Sequence, residues 1–259
     1  MEKKDLLKDV IKHIDIKSYN STELVDAMRN MSFTSRDTAR AADILMMMCK
    51  EKECTNILTL AGSTSAAGCM QVYVDMVRNK MIDVVVATGA SIIDMDLFEA
   101  LGFKHYIGEK ENVIPDTTLR ELYIDRIYDT YIDEEELQAC DHTTFKIANM
   151  LEARPYSSRE FIYEIGKWLH EGNAVKKDSL IQTCYECGVP IFVPAFSDSS
   201  AGFGIGKHQW ERMQKGEKYL SIDSVKDFIE LTQIKMQSPE TGLFMVGGGA
   251  PKNFAQDTV

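Results

Sequence analysis

The chain has 259 residues, with 29 Lys plus Arg against 40 Asp plus Glu, a formal net charge of −11, and 44% hydrophobic residues. That length accommodates one large α/β domain or two small ones. The acidic balance argues against a nucleic-acid groove, which needs clustered Lys and Arg, and it suits solubility or a cationic substrate such as a polyamine. No 18-residue apolar run occurs, so no membrane helix is expected. The start, Met1-Glu-Lys-Lys-Asp-Leu-Leu-Lys8, lacks an apolar signal core, which points to the cytoplasm.

Residues 1–50 read as an N-terminal helical segment, because Leu6, Leu7, Val10, Ile11 and Ile14 recur at helical spacing. Ser21 is a candidate cap for a helix running to Met28, and Ser35 to Met48 carries Ala and Met on a face expected to be buried. Ile57–Ala61 then reads as a strand, Cys69–Lys80 as a helix and Ile82–Ala87 as a second strand, which together make one βαβ unit. Continuous Val/Ile runs suit strands buried on both faces of a parallel sheet.

Residues 109–160 are expected to be mostly helical, with Asp133-Glu-Glu-Glu136 opening a solvated helix and Ser157-Ser-Arg-Glu160 forming a capping box. Val189–Pro194 reads as a strand, Ser221–Gln237 as a helix and Gly242–Val246 as the last strand. Cysteines 49, 54, 69, 140, 184 and 187 are scattered, which fits a reducing compartment. Cys184-Tyr-Glu-Cys187 is a single CxxC on a helix, without the second pair a zinc site needs, so helix packing is its expected role. The five histidines show no metal-ligand spacing, and no nucleophilic triad can be read.

Four strand ends run into small or hydroxyl residues: Gly62-Ser63-Thr64-Ser65, Thr88-Gly89-Ala90-Ser91, Ser197-Asp198-Ser199-Ser200 and Gly247-Gly248-Gly249. In a parallel sheet these loops converge on one edge, where small residues allow close backbone approach and free amides attract phosphate. Asp198 is placed to accept a hydrogen bond from a ribose hydroxyl. No GxGxxG fingerprint is present. Asp94 and Asp96 follow the second loop. The Asp94 carboxylate either faces a cationic ligand or caps the helix that begins there.

In order and spacing, Ala61–Gly68, Met81–Ala90, Tyr106-Ile-Gly108, Val189–Asp198 and Val246–Asn253 resemble the deoxyhypusine synthase family, from about Ile57 to the C-terminus. The resemblance implies a Rossmann-like, NAD-dependent homotetramer with active sites at a dimer interface. Such proteins oxidise spermidine with NAD. A lysine captures the aminobutyl group as an imine, which passes to a translation-factor lysine to begin hypusine formation, or to a small amine in relatives. The implied NAD contacts are Gly62, Ser63, Thr64, Ser65 and Ala66, then Thr88, Gly89 and Ala90, with Asp198 and Gly248. Asp94, Phe203 and Asn253 are the implied substrate-binding positions.

Three departures from the family pattern stand out. The family's catalytic lysine lies in a Trp-Gly-Lys segment expected beyond Val259, and neither Lys207 nor Lys252 occupies that position. Phe203 stands where a spermidine-holding aspartate is expected, and Asn253 replaces a histidine. The Asn pattern looks more like the prokaryotic deoxyhypusine synthase-like branch, which favours a small amine as acceptor.

The expected fold is therefore α/β, a Rossmann-like doubly wound, mainly parallel sheet with N-terminal helices. Residues 1–50 form a helical segment, and 51–259 an NAD-binding domain incomplete at its C-terminus. The expected activity is alkyl-group transfer (EC 2.5.1 type), with NAD as cofactor and no metal. A catalytically inactive paralogue serving as a regulatory or assembly subunit is the alternative, and a generic nucleotide-binding module is a third reading.

Overall fold

The computed structural model describes residues 1–108 and 113–258; residues 109–112 and Val259 lie outside the described residues. Nine strands are formed among the described residues: β1 (Cys54–Leu60), β2 (Val84–Ala87), β3 (Tyr106–Ile107), β4 (Ile124–Ile127), β5 (Thr130–Asp133), β6 (Pro155–Tyr156), β7 (Ile191–Phe192), β8 (Ser221–Ile222) and β9 (Glu240–Val246). Four of them build the central sheet in the order β7-β2-β1-β9, and every pairing in it is parallel.

The chain winds from β1 through β2 to β7 on one side, then returns to place β9 on the other side of β1. The expected α/β, doubly wound, mainly parallel architecture is thus present. The order reverses between β1 and β9, and such a reversal leaves a crevice beyond the carboxyl ends of the strands.

Period-two alternation explains why both faces of this sheet are dry. Leu58 and Leu60 of β1, with Val85 and Ala87 of β2, face a large core formed with Val74, Val77, Phe161, Ile165 and Ile181. Ile57, Val84 and Val86 face the other way, against Leu231 and Ala255. The first face is covered by the helices Met70–Arg78, Ser158–Trp168 and Leu180–Cys187, and the second by Ser224–Gln237 and Gly249–Gln256. Fully burying a side chain such as Phe161 contributes roughly 2–3 kcal/mol.

The first stretch of the N-terminal segment departs from the expected helical pattern. Only Lys3–Leu6 is helical in the first fourteen residues, and Val10 instead forms an antiparallel bridge with Tyr106. Leu6 and Leu7 reach a small separate cluster with Leu119, Ile124 and Tyr131, so their spacing reflects a tertiary dock rather than a helix face. The helices Thr22–Met28 and Phe33–Lys50 are present, but Ser21 makes no side-chain cap bond. The Met-rich face is not buried as expected: Ala39 is the one buried residue of the Phe33–Lys50 helix, and Met46 and Met47 are exposed.

The region read as mostly helical from 109 to 160 carries the helices Asp116–Glu121 and Glu134–Met150 but also β4 and β5, which join the preceding β3 in an antiparallel sheet of order β3-β5-β4; the part of that reading covering 109–112 lies outside the described residues. Its β4–β5 hairpin turns on Tyr128 and Asp129, with Tyr128 at φ 54°. No glycine or asparagine marks that turn, so the usual hairpin signal is missing. The Glu134–Met150 helix follows as expected, with Asp133 accepting from the Glu135 and Glu136 amides. The Ser157–Glu160 capping box also forms, each side chain meeting the other's backbone N–H. Among the described residues no helix is long and apolar enough to cross a membrane. All six cysteines are free; Cys184 packs in the core and Cys187 is exposed on the same helix.

Candidate functional site

The four small-residue loops follow β1, β2, β7 and β9, and parallel strands bring their ends to one edge of the sheet. Specific contacts tie neighbouring loops together. Ala61 N donates to the Val246 carbonyl at 2.9 Å, joining the β1 and β9 loops at the crevice. Gly247 has φ 76°, and a Cβ there would lie 2.7 Å from the Ala61 carbonyl oxygen. Close backbone approach therefore requires glycine at this position.

The β1 and β2 loops are joined by Ser91. Its hydroxyl donates to the Gly62 carbonyl at 3.3 Å and accepts from the Thr88 hydroxyl at 2.9 Å. Gly62 itself has φ 80° and open space where a Cβ would point. Ser63 and Thr64 are half-buried, and Ser65 and Ala66 are buried in the turn that follows. Thr64 shares a hydrogen bond of 2.7 Å with the Tyr73 hydroxyl, which anchors the loop to the helix beyond it. The buried Ser65 hydroxyl has no protein partner. After β2 the chain takes a wide π-type helix from Ala90 to Leu97, a rare form that concentrates at functional sites.

The β2 and β7 loops meet at Gly89, where a Cβ would lie 2.6 Å from Ser199 Oγ. Asp94 accepts from the Ser200 N–H at 2.7 Å. Of the two roles open to Asp94, the helix it caps is Ser200–Gln214, not its own. Burial pushes its carboxyl up to about 6, against the hydrogen bonds from Ser200 and helped by the charges of Asp141 and Asp198. Asp96 is fully buried and caps a different helix, accepting from the Leu180 and Ile181 amides at 2.7 Å each.

Asp141 was not singled out by sequence reasoning. It sits within the Glu134–Met150 helix, where nothing local distinguishes it from the other acids. Only the crossing with the Ser200–Gln214 helix, so close that a Cβ at Gly204 would collide with Thr144 and the Asp141 carbonyl, brings it beside Ser200 and Asp94. Burial raises its pKa, and Asp141 Oδ1 is buried without a partner. A cleft alongside is lined by Glu134, Gln138, Asp141, His142, Phe203 and Lys207. Phe203 is 74% exposed at this cleft.

Not every expected residue joins this group. Asp198 is exposed close to Asp94, on the β7 side. Gly248 and Asn253 belong to the β9 side, Asn253 on the Gly249–Gln256 helix. Since β7 and β9 are the two outer strands, Phe203 and Asn253 follow strands three spacings apart, roughly 14 Å. Among the described residues no cluster of three or more His, Cys, Asp or Glu side chains is arranged to hold a metal.

An open parallel sheet wound both ways from β1, with its small-residue loops gathered beyond the strand ends, defines an α/β protein of the class that binds ligands at a topological switch point. Within that class the chain belongs to the deoxyhypusine synthase family, whose model matches residues 23–259. The deoxyhypusine synthase-like protein of Caulobacter vibrioides is 66% identical over 258 residues, covering 100% of this chain and 70% of the relative. That of Coxiella burnetii is 58% identical over 257 residues, covering 99% of this chain and 72% of its own length. A crystal structure from Entamoeba histolytica assigned to deoxyhypusine synthase superposes with a TM-score of 0.64 at 20% identity, covering 92% of this chain and 79% of that one, a likeness of fold. Membership of this family supports a transferase.

Proposed function

We propose that this protein is an NAD-dependent transferase, moving an aminobutyl or related alkyl group from spermidine or a similar amine to an amine acceptor. The observation that carries the reading is the union of two features at one sheet edge: small-residue loops linked across β9, β1, β2 and β7, and an acidic group of Asp94, Asp141 and Asp198 beside them.

The residues present fit a dinucleotide. The unpartnered, buried Ser65 hydroxyl offers a donor, and Gly62, Gly248 and Gly249 have nothing within 4 Å of an added Cβ, leaving room for close backbone approach. Gly62 to Ala66, Thr88 to Ala90, Asp198 and Gly248 are the residues that would hold it. When bound, NAD supplies a hydride acceptor. Asp94 and Asp141 attract and orient a cationic amine by charge. Phe203 gives the cleft an aromatic wall where an aspartate would have offered a second carboxylate, so the acceptor we favour is a small amine rather than a protein lysine. No lysine among the described residues is assigned to amine capture.

A second reading, a regulatory or assembly subunit, is favoured by one observation. Phe203, Trp210 and Met213 lie on the Ser200–Gln214 helix, 74%, 63% and 48% exposed, as an association surface would be. Both readings are compatible with a homotetramer. Thermal melts decide the cofactor: saturating NAD raises Tm by ligand linkage, and no shift at millimolar NAD counts against the transferase. Incubation with labelled spermidine, and separately with agmatine, followed by product mass, identifies donor and acceptor. Light scattering of the purified protein, alone and with a longer homologue, tests the assembly reading.

A further inference from the structure

We propose that His13 is a positioning residue for the cofactor loop after β1, acting through the backbone of the helix that follows it. This inference rests on the NAD reading above and concerns a segment that precedes the residues matched by the family model, which begin at residue 23.

Residues 9–17 run as an irregular strap across the base of that loop. Ile11 N donates to the His105 carbonyl at 2.9 Å, and Ile14 N donates to the Gly68 carbonyl at 2.9 Å. Gly68, at φ 93°, sits so close to the strap that an added Cβ would lie 2.8 Å from the Lys12 carbonyl oxygen. Lys17 pairs with Asp75 at 2.7 Å further along the same helix. The strap therefore touches the end of the Ser65–Cys69 turn and the first turns of the Met70–Arg78 helix.

His13 stands at the centre of this contact. Its Nδ1 accepts from the Met70 N–H at 3.2 Å, satisfying one of the donors that a helix start leaves without an intrahelical partner. Because Nδ1 accepts, Nε2 carries the hydrogen, and it donates to Glu99 Oε2 at 2.6 Å. Glu99 is itself fixed by His105 Nδ1 at 2.9 Å and by Lys176 Nζ at 2.5 Å. The His105 side chain is 0% exposed, and those of Glu99 and His13 are 10% and 14% exposed. A buried, three-fold bonded carboxylate is thus the fixed point. One imidazole transmits its position to the backbone where Gly62–Ala66 turns into a helix. Small displacements of loop amides are felt strongly where a ligand is held by backbone, so the strap sets the shape of that loop.

The test compares His13→Ala, His13→Asn and His13→Gln. Asn places an amide oxygen near the Nδ1 position and keeps the Met70 bond; Gln reaches Glu99 and loses the Met70 bond. Hydrogen exchange is read without nucleotide over residues 64–72, and NAD affinity is measured by titration. The expected result is about tenfold faster exchange in 64–72 for Ala and Gln, unchanged exchange in β1 and β2, and a smaller increase in Asn, which keeps the Met70 bond but loses the one to Glu99. NAD affinity should fall about tenfold in Ala and by less in Asn. Unchanged exchange in 64–72, or acceleration spread evenly over the chain, would overturn the proposal, as would unaltered NAD affinity in His13→Ala. If the wild-type protein fails to bind NAD, the cofactor reading falls, and with it the cofactor role of His13. The nucleotide-free exchange arm separates that failure from a strap that never held the loop.

Discussion

Asp94, on the wide helix after β2, accepts the backbone N–H of Ser200 at 2.7 Å and so ties the β2 loop to the start of the helix after β7. Ser199, the residue that would normally cap that helix, makes no side-chain cap bond. The cap is supplied from over a hundred residues away in sequence, and the carboxylate that supplies it feels the charge of Asp141, which lines the acidic cleft.

That double role gives a pH signature. Burial pushes Asp94 up to about 6 from an ordinary 3.8. The folded state then binds this proton more tightly than the unfolded state. Its contribution to stability is fully present below about pH 4 and is lost as pH rises through about 6. Asp96 and Asp227, also pushed up to about 6 by burial, act with the same sign. Asp94→Asn should flatten only its own share of the slope between pH 4 and 7, by at most ~3 kcal/mol. Urea unfolding at several pH values measures it, and a slope equal to wild type would refute the assignment. Affinity for a cationic amine should run the other way, weakening as pH falls through about 6 in wild type and much less in Asp94→Asn.

Asp96 supports the same region from behind. Its two oxygens hold the first two amides of the Leu180–Cys187 helix, whose other cap is Ser179 accepting from Gln182 N at 3.1 Å. Asp96→Ala would leave two buried donors unpaired at a costly site, and we expect a loss of about 2–4 kcal/mol. Asp96→Asn keeps one acceptor and should lose less. Equal Tm values for the two variants would contradict this account.

How far the sequence could be read depended on whether the cause was local. The apolar runs of β1 and β2 and the small residues after them declare themselves, because burial on both faces and close backbone approach constrain adjacent positions. The Ser157–Glu160 box was legible for the same reason. Strap residues Val10, Ile11 and Ile14 do not form the helix their apolar spacing suggests because their backbone bonds instead to Tyr106, His105 and Gly68, some fifty to a hundred residues distant. The β4–β5 hairpin was missed because Tyr128 adopts positive φ without a residue that favours it. Asp141 carries no local mark at all: its place at the site exists only through the crossing at Gly204.

Ser91 makes a smaller, separable prediction. It is fully buried, and its hydroxyl links Thr88 to the Gly62 carbonyl while its own N–H donates to Thr88 Oγ1 at 3.2 Å. Ser91→Ala removes the link between the β1 and β2 loops and leaves little cavity. Stability should fall by about 1 kcal/mol. If those loops hold NAD together, affinity should drop as well, since Gly62 loses its tether. Calorimetric titration beside a thermal melt separates the two effects. A drop in Tm with unchanged affinity would mean the two loops do not act as one site.

Gly247 and Gly248 offer the sharpest contrast, because they are neighbours with different constraints. Gly247 has φ 76° and the Ala61 carbonyl 2.7 Å from an added Cβ, so Gly247→Ala must strain the backbone and push β9 from β1. We expect about 2 kcal/mol or more of destabilisation. Gly248 has nothing within 4 Å of an added Cβ, and its φ is negative, −149°. Gly248→Ala should therefore leave the melting temperature close to wild type. If the space over Gly248 is where a dinucleotide approaches the backbone, the same methyl should weaken NAD by an order of magnitude with the fold intact. Tight NAD binding by a fully folded Gly248→Ala protein would move the nucleotide away from the β9 loop and leave the crevice between β1 and β9 without its proposed occupant.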